Sequence, residues 1–95
     1  MVWENSVKIS GKVHFLKSNA EGETGTGKYL QFTVRQDSDS PDGGTRKDFL
    51  YVRVYDKDLR SVLETKKDGD VVTVEGTLRS SRGSGVNYVR CLSIV

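Results

Sequence analysis

Three aromatic residues and an arginine alternate along one short segment near the middle of the chain: Phe49, Tyr51, Arg53 and Tyr55. The residues between them are aliphatic, so in a strand the aliphatic side faces a core and the aromatic side faces outward. Exposed rings along a strand form a platform on which nucleic acid bases stack, at roughly 1–3 kcal/mol per base and with little sequence preference. Arg53 lies between the rings, where a guanidinium meets a phosphate or stacks on a base. This segment therefore predicts a surface that binds nucleic acid.

Cationic and aromatic side chains in other segments share the phase of this surface or lie in loops at its rim. Many acidic residues lie elsewhere, so the cations are concentrated on one side although the net charge is only +2. Their contacts with phosphates would make binding weaken as the salt concentration rises. The full set of predicted nucleic acid contacts is Lys8, Lys12, His14, Tyr29, Gln31, Arg35, Arg46, Lys47, Phe49, Tyr51, Arg53, Tyr55, Arg79, Arg82 and Tyr88.

The same face has two other interpretations. Rings on an open sheet often pack against a loop or a partner subunit, so this face could dock the partner of a protein-interaction module in a replisome or primosome. It could also bind RNA, as cold-shock barrels do, although the sequence lacks the RNP-like aromatic motifs that those barrels use. Trp3 stays open between a further stacking ring, a subunit contact and a disordered residue.

The segments that must hold these side chains alternate apolar and polar residues with the two-residue period of a strand. One segment differs. In residues 56–67 apolar residues recur at the helical spacing i, i+3 and i+4, Asp56 or Asp58 is suited to cap the start, and Lys66 and Lys67 suit the last turn. Strands are predicted over about residues 6–16, 29–36, 48–55, 70–80 and 86–95.

Three polar, glycine-containing stretches separate the strands. Residues 17–28 are predicted as a loop or a loosely formed hairpin, residues 37–48 as a flexible loop, and residues 81–85 as a turn or hairpin tip. Three strands, one helix and two further strands, in that order, form the plan of the OB-fold, an all-β, five-stranded Greek-key barrel. An SH3-like barrel has no such helix at that position. We therefore expect residues 1–95 to form a single OB-fold domain.

Length and composition limit the alternatives. The chain has 95 residues, which is enough for one domain, and a single cysteine, which excludes an intramolecular disulfide. One cysteine and one histidine are also too few for a structural zinc site. No stretch approaches the roughly 18 apolar residues of a membrane span, so no membrane partner is expected. The first residues lack the pattern of a signal peptide, which predicts an intracellular protein.

Several motifs that suggest chemistry fail in their context. Residues 22–28, GETGTGK, match a phosphate-binding loop, but Tyr29 replaces the Ser or Thr that would hold magnesium, and a strand follows where the motif needs a helix. Residues 37–43 space their acids like a calcium loop but lack its helical frame and its final glutamate. His14 and Cys91 each stand alone, which disfavours a nucleophilic pair. We expect no catalytic residue, no metal and no cofactor.

Residues 70–79, DVVTVEGTLR, contain a Val-x-Val-Glu-Gly-x-Leu-Arg run, and two aromatics stand six residues apart at Phe49 and Tyr55. In these features the sequence resembles the bacterial single-stranded DNA-binding protein family. That family places a stacking aromatic first in its third strand and another six residues on. The resemblance covers about residues 5–95, and further matching stretches are NSVKISGKV at 5–13 and GKYLQFTV at 27–34.

The resemblance implies an OB-fold protein that binds single-stranded DNA, largely without sequence preference, during replication, recombination or repair. It implies that Phe49 and Tyr55 are the main stacking pair. It also implies a cytoplasmic, nucleoid-associated homo-oligomer, a dimer or a tetramer, built partly on the first strand.

Three departures from the family pattern refine this expectation. Residues 37–48 lack the tryptophan often found there, and residues 80–86 lack the usual stacking aromatic. The acidic, Phe-ended tail is also absent, so recruitment of other proteins through such a tail is not expected. We expect a smaller platform with weaker or shorter-site binding, as in a phage-type or specialised relative.

Overall fold

The computed structural model describes residues 3–15, 21–24, 27–82 and 85–95, with the backbone alone at 21–24, 27 and 28. Within these residues the chain forms six strands and one helix. Strands with one buried face follow the alternation of the sequence, because each places its aliphatic residues on one side. The elements are β1 (Val7–His14), β2 (Glu21–Thr24), β3 (Gly27–Asp39), β4 (Thr45–Val54), α1 (Lys57–Glu64), β5 (Val71–Ser80) and β6 (Asn87–Ile94).

Five of the strands close into a ring. Their order is β1-β5-β6-β4-β3, and the ring closes because the end of β1 also pairs with β3, with Lys12 opposite Arg35. All pairings are antiparallel except that of β4 with β6, where Val52 lies opposite Val89. The helix lies between the third and fourth strands of the ring. The predicted OB-fold plan is confirmed.

The sixth strand, β2, lies outside the ring and pairs with the start of β3, Glu21 opposite Leu30 and Thr24 opposite Gly27. The prediction for residues 17–28 allowed either a loop or a loosely formed hairpin, and the hairpin is present in the described part. Residues 16–20, 25 and 26 lie outside the described residues.

The core fills the interior of the ring with aliphatic side chains and one aromatic ring. Phe32 is fully buried at its centre, and Leu63 of α1 is buried with it. These positions lack solvent contact because alternate residues of every ring strand point inward. The buried set is Val13, Phe32, Val34, Val52, Val54, Leu63, Val72, Val74, Val89, Cys91 and Ile94.

Gly11 allows the change of partner that closes the ring. At this point β1 leaves β5 and approaches β3. A Cβ at Gly11 would overlap the carbonyl oxygen of Arg35 and would lie 2.8 Å from Cγ1 of Val34. Only glycine permits this close approach of two backbones.

The predicted flexible loop at residues 37–48 is wrong. β3 and β4 continue as a paired hairpin to Asp39 opposite Thr45, and a tight turn joins them. In the turn the Ser40 N–H donates to the Gly44 carbonyl at 2.8 Å, and Gly43 has a φ of 87°. The end of this hairpin has solvent on both faces. Its sequence therefore lacks the alternation of apolar and polar residues that predicts a strand.

The helix is shorter than predicted. It covers Lys57–Glu64, and its cap is Asp56, whose Oδ1 accepts from the N–H of Asp58 at 2.8 Å and of Leu59 at 3.1 Å. The helix ends at Glu64 with Thr65 as its C-cap, so Lys66 and Lys67 follow it and do not occupy its last turn. Gly69, with a φ of 93°, turns the chain here, and its N–H donates to the Val13 carbonyl at 2.8 Å, where β5 begins beside β1.

Candidate nucleic-acid interface

Four ring strands present one continuous outer surface, which we call the aromatic face. The register of β3 with β4 places Gln31 opposite Arg53 and Arg35 opposite Phe49, so these side chains point to the same side. β6 continues the surface, because Arg90 lies opposite Arg53. The aromatic face comprises His14, Tyr29, Gln31, Phe49, Tyr51, Arg53, Tyr55, Tyr88 and Arg90.

Arg53 is the centre of this face. Its guanidinium carbon lies 4.6 Å from the ring centroid of Tyr29 and 4.1 Å from that of Tyr88. Its Nε donates to Oε1 of Gln31 at 2.8 Å. A planar guanidinium held between two rings and an amide has one orientation, so Arg53 ties three strands together at the middle of the face.

Tyr55 completes a cluster around this arginine. Its ring lies 5.3 Å from the ring of Tyr29, and the guanidinium carbon of Arg90 lies 5.6 Å from its centroid. Burial and a hydrogen bond with Tyr55 raise the pKa of Tyr88 above its usual value. This shift in pKa favours the neutral phenol of Tyr88 beside Arg53.

Phe49 and Tyr51 are the more open rings of the face. They are 46% and 39% exposed, although each is a large aromatic side chain on a central strand. The ring of His14 meets Phe49 edge-on, with 5.2 Å between centroids. A large part of the Phe49 and Tyr51 side chains is thus accessible to a stacking partner.

Five of the predicted cations border the aromatic face or extend the strands that form it. Lys12 lies opposite Arg35, which lies opposite Phe49, and Arg79 lies opposite Tyr88. Lys47 is two residues before Phe49 and therefore points to the same side. Arg82 is exposed just beyond the end of β5.

Arg35 is already held in a bidentate ion pair with Asp37. Its Nε and Nη2 donate to the carboxylate at 3.1 and 3.0 Å. This pairing raises the pKa of Arg35 and lowers that of Asp37, with the hydrogen bond as the main cause in both groups. Arg35 is therefore a less available phosphate contact than Lys12 or Lys47.

Two predicted contacts lie apart from the aromatic face. Lys8 is on the part of β1 that pairs with β5, and its Nζ lies 3.6 Å from the carboxylate of Glu75. Arg46 points to the opposite side of the hairpin from Lys47, where its Nε contacts Asp48 at 3.1 Å. The sequence did not separate these residues because it did not reveal the hairpin or the change of partner along β1.

Arg90 is a member of the face that the sequence analysis missed. It is exposed, lies beside Arg53 in the neighbouring strand, and packs over Tyr55. The signal was available in the alternation of β6, where Val89 and Cys91 are buried and Tyr88 and Arg90 are on the other side. The sequence-based set of contacts contains only Tyr88 of that outer series.

Cys91 faces the core on β6, whereas His14 packs against Phe49. The thiol is almost fully buried and donates to the Ser93 carbonyl at 3.4 Å, and burial raises its pKa to about 11. A thiol with that pKa is protonated at neutral pH and is a poor nucleophile. Among the described residues there is also no group of three or more His, Cys, Asp or Glu side chains placed to hold a metal ion.

Solved structures resemble this chain over nearly its whole length. A small single-stranded DNA-binding protein from Streptomyces coelicolor aligns with a TM-score of 0.72 and 15% identity, covering 100% of this chain and 94% of that one. A Plasmodium falciparum single-stranded DNA-binding protein in complex with single-stranded DNA gives 0.72 and 15%, with 100% and 96% covered. The chain has the fold of these proteins.

The same fold also occurs in PriB, which is not named as a single-stranded DNA-binding protein. The N-terminal domain of PriB from Thermoanaerobacter tencongensis, described as dimeric, aligns with a TM-score of 0.66 and 22% identity, covering 96% of this chain and 93% of that one. No protein-family model matches the chain, and no curated protein matches it.

No helix in the described part of this OB-fold is long and apolar enough to cross a membrane.

Proposed function

We propose that this protein binds single-stranded DNA, largely without sequence preference and without catalysing a reaction, in DNA replication, recombination or repair. The observation that carries the proposal is the exposure of Phe49 and Tyr51 beside the cluster centred on Arg53. Open rings on a rigid strand, next to fixed guanidinium groups, suit the stacked bases and regular phosphates of a single strand. The likeness to a protein solved in complex with single-stranded DNA supports the same ligand.

The exposure of the rings assigns their roles. We assign base stacking first to Phe49 and Tyr51, because Tyr55 is half-buried against Tyr29 and Arg90. Tyr55 and its neighbours then support the platform and supply its outer rings. The phosphate contacts are assigned to Lys12, Lys47, Arg53, Arg79 and Arg90, with Arg35 and Arg82 at the rim.

We also propose that the protein assembles as a homo-oligomer. A 95-residue chain buries a modest fraction of its surface, so association would add stability. The N-terminal domain of PriB, which has the same fold, is described as dimeric. A mass measurement in solution distinguishes a dimer or tetramer from a monomer.

The test is a titration of the protein against fluorescently labelled dT oligomers at two salt concentrations. We expect measurable binding that weakens as salt rises, because phosphate contacts release counterions. Phe49→Ala and Tyr51→Ala should each weaken binding by about five-fold or more, which corresponds to the loss of one stacked base. Val62→Ala is the matched control, since Val62 is 38% exposed but lies on α1.

Two outcomes would redirect the proposal. Undetectable or salt-insensitive binding would overturn it and would favour a protein partner on the aromatic face. Binding of RNA oligomers in strong preference to DNA of the same sequence would replace the ligand while keeping the site.

A further inference from the structure

A small cavity of about 300 Å³ opens at one end of the aromatic face, a volume at the lower limit of ligand pockets. It lies where the end of β4, the start of α1 and the outer side of β6 meet. It is continuous with the face through Tyr55, whose ring lies 5.3 Å from that of Tyr29. The cavity is lined by Tyr55, Asp56, Leu59, Arg90, Cys91 and Leu92.

The walls of this cavity combine apolar and polar surface. Tyr55 and Leu59 are half-buried, and Leu92 is 61% exposed. Leu92 projects outward because its neighbours Cys91 and Ser93 pair with the adjacent residues Gly76 and Glu75, which leaves Leu92 in a bulge. A flat ligand with polar edges would cover the apolar part of these walls, which is otherwise in contact with water.

The rim of the cavity carries one carboxylate and one guanidinium. Asp56 is fixed by the helix, because its Oδ1 accepts two backbone N–H groups, while Oδ2 makes no hydrogen bond to a described residue. Arg90 lies over the ring of Tyr55. A carboxylate at the rim repels phosphate, so the phosphate backbone is a poor occupant. A carboxylate accepts well from a heterocycle that presents N–H donors.

The DNA bases differ in the number of N–H donors that they can present to a carboxylate. On its pairing edge guanine presents two adjacent donors, N1–H and the N2 amino group, whereas thymine presents only N3–H. Because Oδ1 of Asp56 is occupied by two backbone N–H groups, both guanine donors would converge on Oδ2, to which thymine offers only one donor. Arg90 can stack on the base or meet the phosphate of the same nucleotide.

We propose that this cavity is a base-reading subsite that accepts one nucleobase of the bound strand and favours guanine. The inference rests on the proposed binding of single-stranded DNA and adds a local preference to it. Asp56 reads the base, Tyr55 and Leu92 enclose it, and the rest of the strand stacks on Phe49 and Tyr51 without regard to sequence.

The experiment compares labelled dT oligomers of equal length that contain one central dG, one central dI or no substitution. A single guanine avoids association between oligomers. We expect the dG oligomer to bind at least about five-fold more tightly than the dT oligomer, the discrimination of a good two-bond contact. The dI oligomer should fall between them, because inosine lacks the N2 amino group.

Asp56→Asn tests the reader of the base. Asparagine caps a helix as well as aspartate does, so the fold should be retained, and thermal melting checks this. The amide oxygen would keep the helix cap, so an amino group that only donates would replace Oδ2, and the preference for dG should disappear. Asp58→Asn is the matched control. Asp58 lies two residues after Asp56 and does not line the cavity. Asp58→Asn removes the same charge, and this variant should retain the preference for dG.

Equal affinity of the unmodified protein for the dG and dT oligomers would overturn the subsite while leaving single-stranded DNA binding in place. A preference that survives Asp56→Asn, or is lost equally in Asp58→Asn, would also overturn it. Failure to bind any oligomer would overturn the proposed function, and the subsite with it.

Discussion

Arg53 shows how much one residue on this face contributes. From the sequence it is one cation among several, and its position between aromatics suggested direct contact with DNA. In the structure it holds Tyr29, Tyr88 and Gln31 together across three strands. Alternation predicted which side Arg53 faces. It could not predict the partners, because they depend on the register of β3 with β4 and on the parallel pairing of β4 with β6.

Arg53→Lys separates the shape of this side chain from its charge. Lysine keeps the positive charge but loses the planar stack and the hydrogen bond from Nε, so stability should fall by about 1 kcal/mol. Affinity for dT oligomers should fall as the rings loosen, while the dependence of affinity on salt stays unchanged. Urea unfolding and titrations at several salt concentrations measure these effects. Arg79→Lys is the control, and an Arg53→Lys protein that matched it in both measurements would contradict the central role of Arg53.

At the scale of elements, predictability followed burial. Strands with one buried face, such as β5 with Val72 and Val74 inside, were located from alternation to within a few residues. The outer half of the β3–β4 hairpin was missed, because polar residues on both sides produce no period. Its pairing depends on backbone hydrogen bonds and on a turn at Gly43. A polar segment that contains glycine has the composition of either a tight turn or a flexible loop, so composition does not distinguish the two.

The hairpin gives a sharp test, because Arg46 and Lys47 are adjacent but point to opposite sides. Lys47 shares the side of Phe49, whereas Arg46 is paired with Asp48 on the other side. Lys47→Ala should weaken dT binding and reduce the salt slope by about one phosphate contact, and Arg46→Ala should change neither. Titration of both variants at several salt concentrations provides the comparison. Equal losses in the two variants would instead indicate a flexible loop that reaches DNA with either cation.

For the whole molecule, the order of strands and helix was sufficient to predict the OB-fold, while the closure of the ring had to be observed. Closure divides the outer side of β1 into two regions. Lys8 lies beside Glu75 of β5, and Lys12 lies beside Arg35 of β3. Alternation places both lysines on one side of the strand, so the sequence assigned both to DNA. Only the change of partner near Gly11 distinguishes them.

Gly11→Ala therefore tests the connection between closure and function. The added Cβ would overlap the backbone oxygen of Arg35, and because backbone cannot move as a side chain can, stability should fall by about 1–3 kcal/mol. Since β1 carries Lys12 and His14 to the face, dT affinity should fall as well. Gly44→Ala is the control: its Cβ would meet only the Asp42 side chain, at 3.3 Å, in the exposed hairpin turn. Urea unfolding and dT titration of both variants decide the matter. If Gly11→Ala lost stability but retained full affinity, the end of β1 would be needed to close the barrel and not to bind DNA.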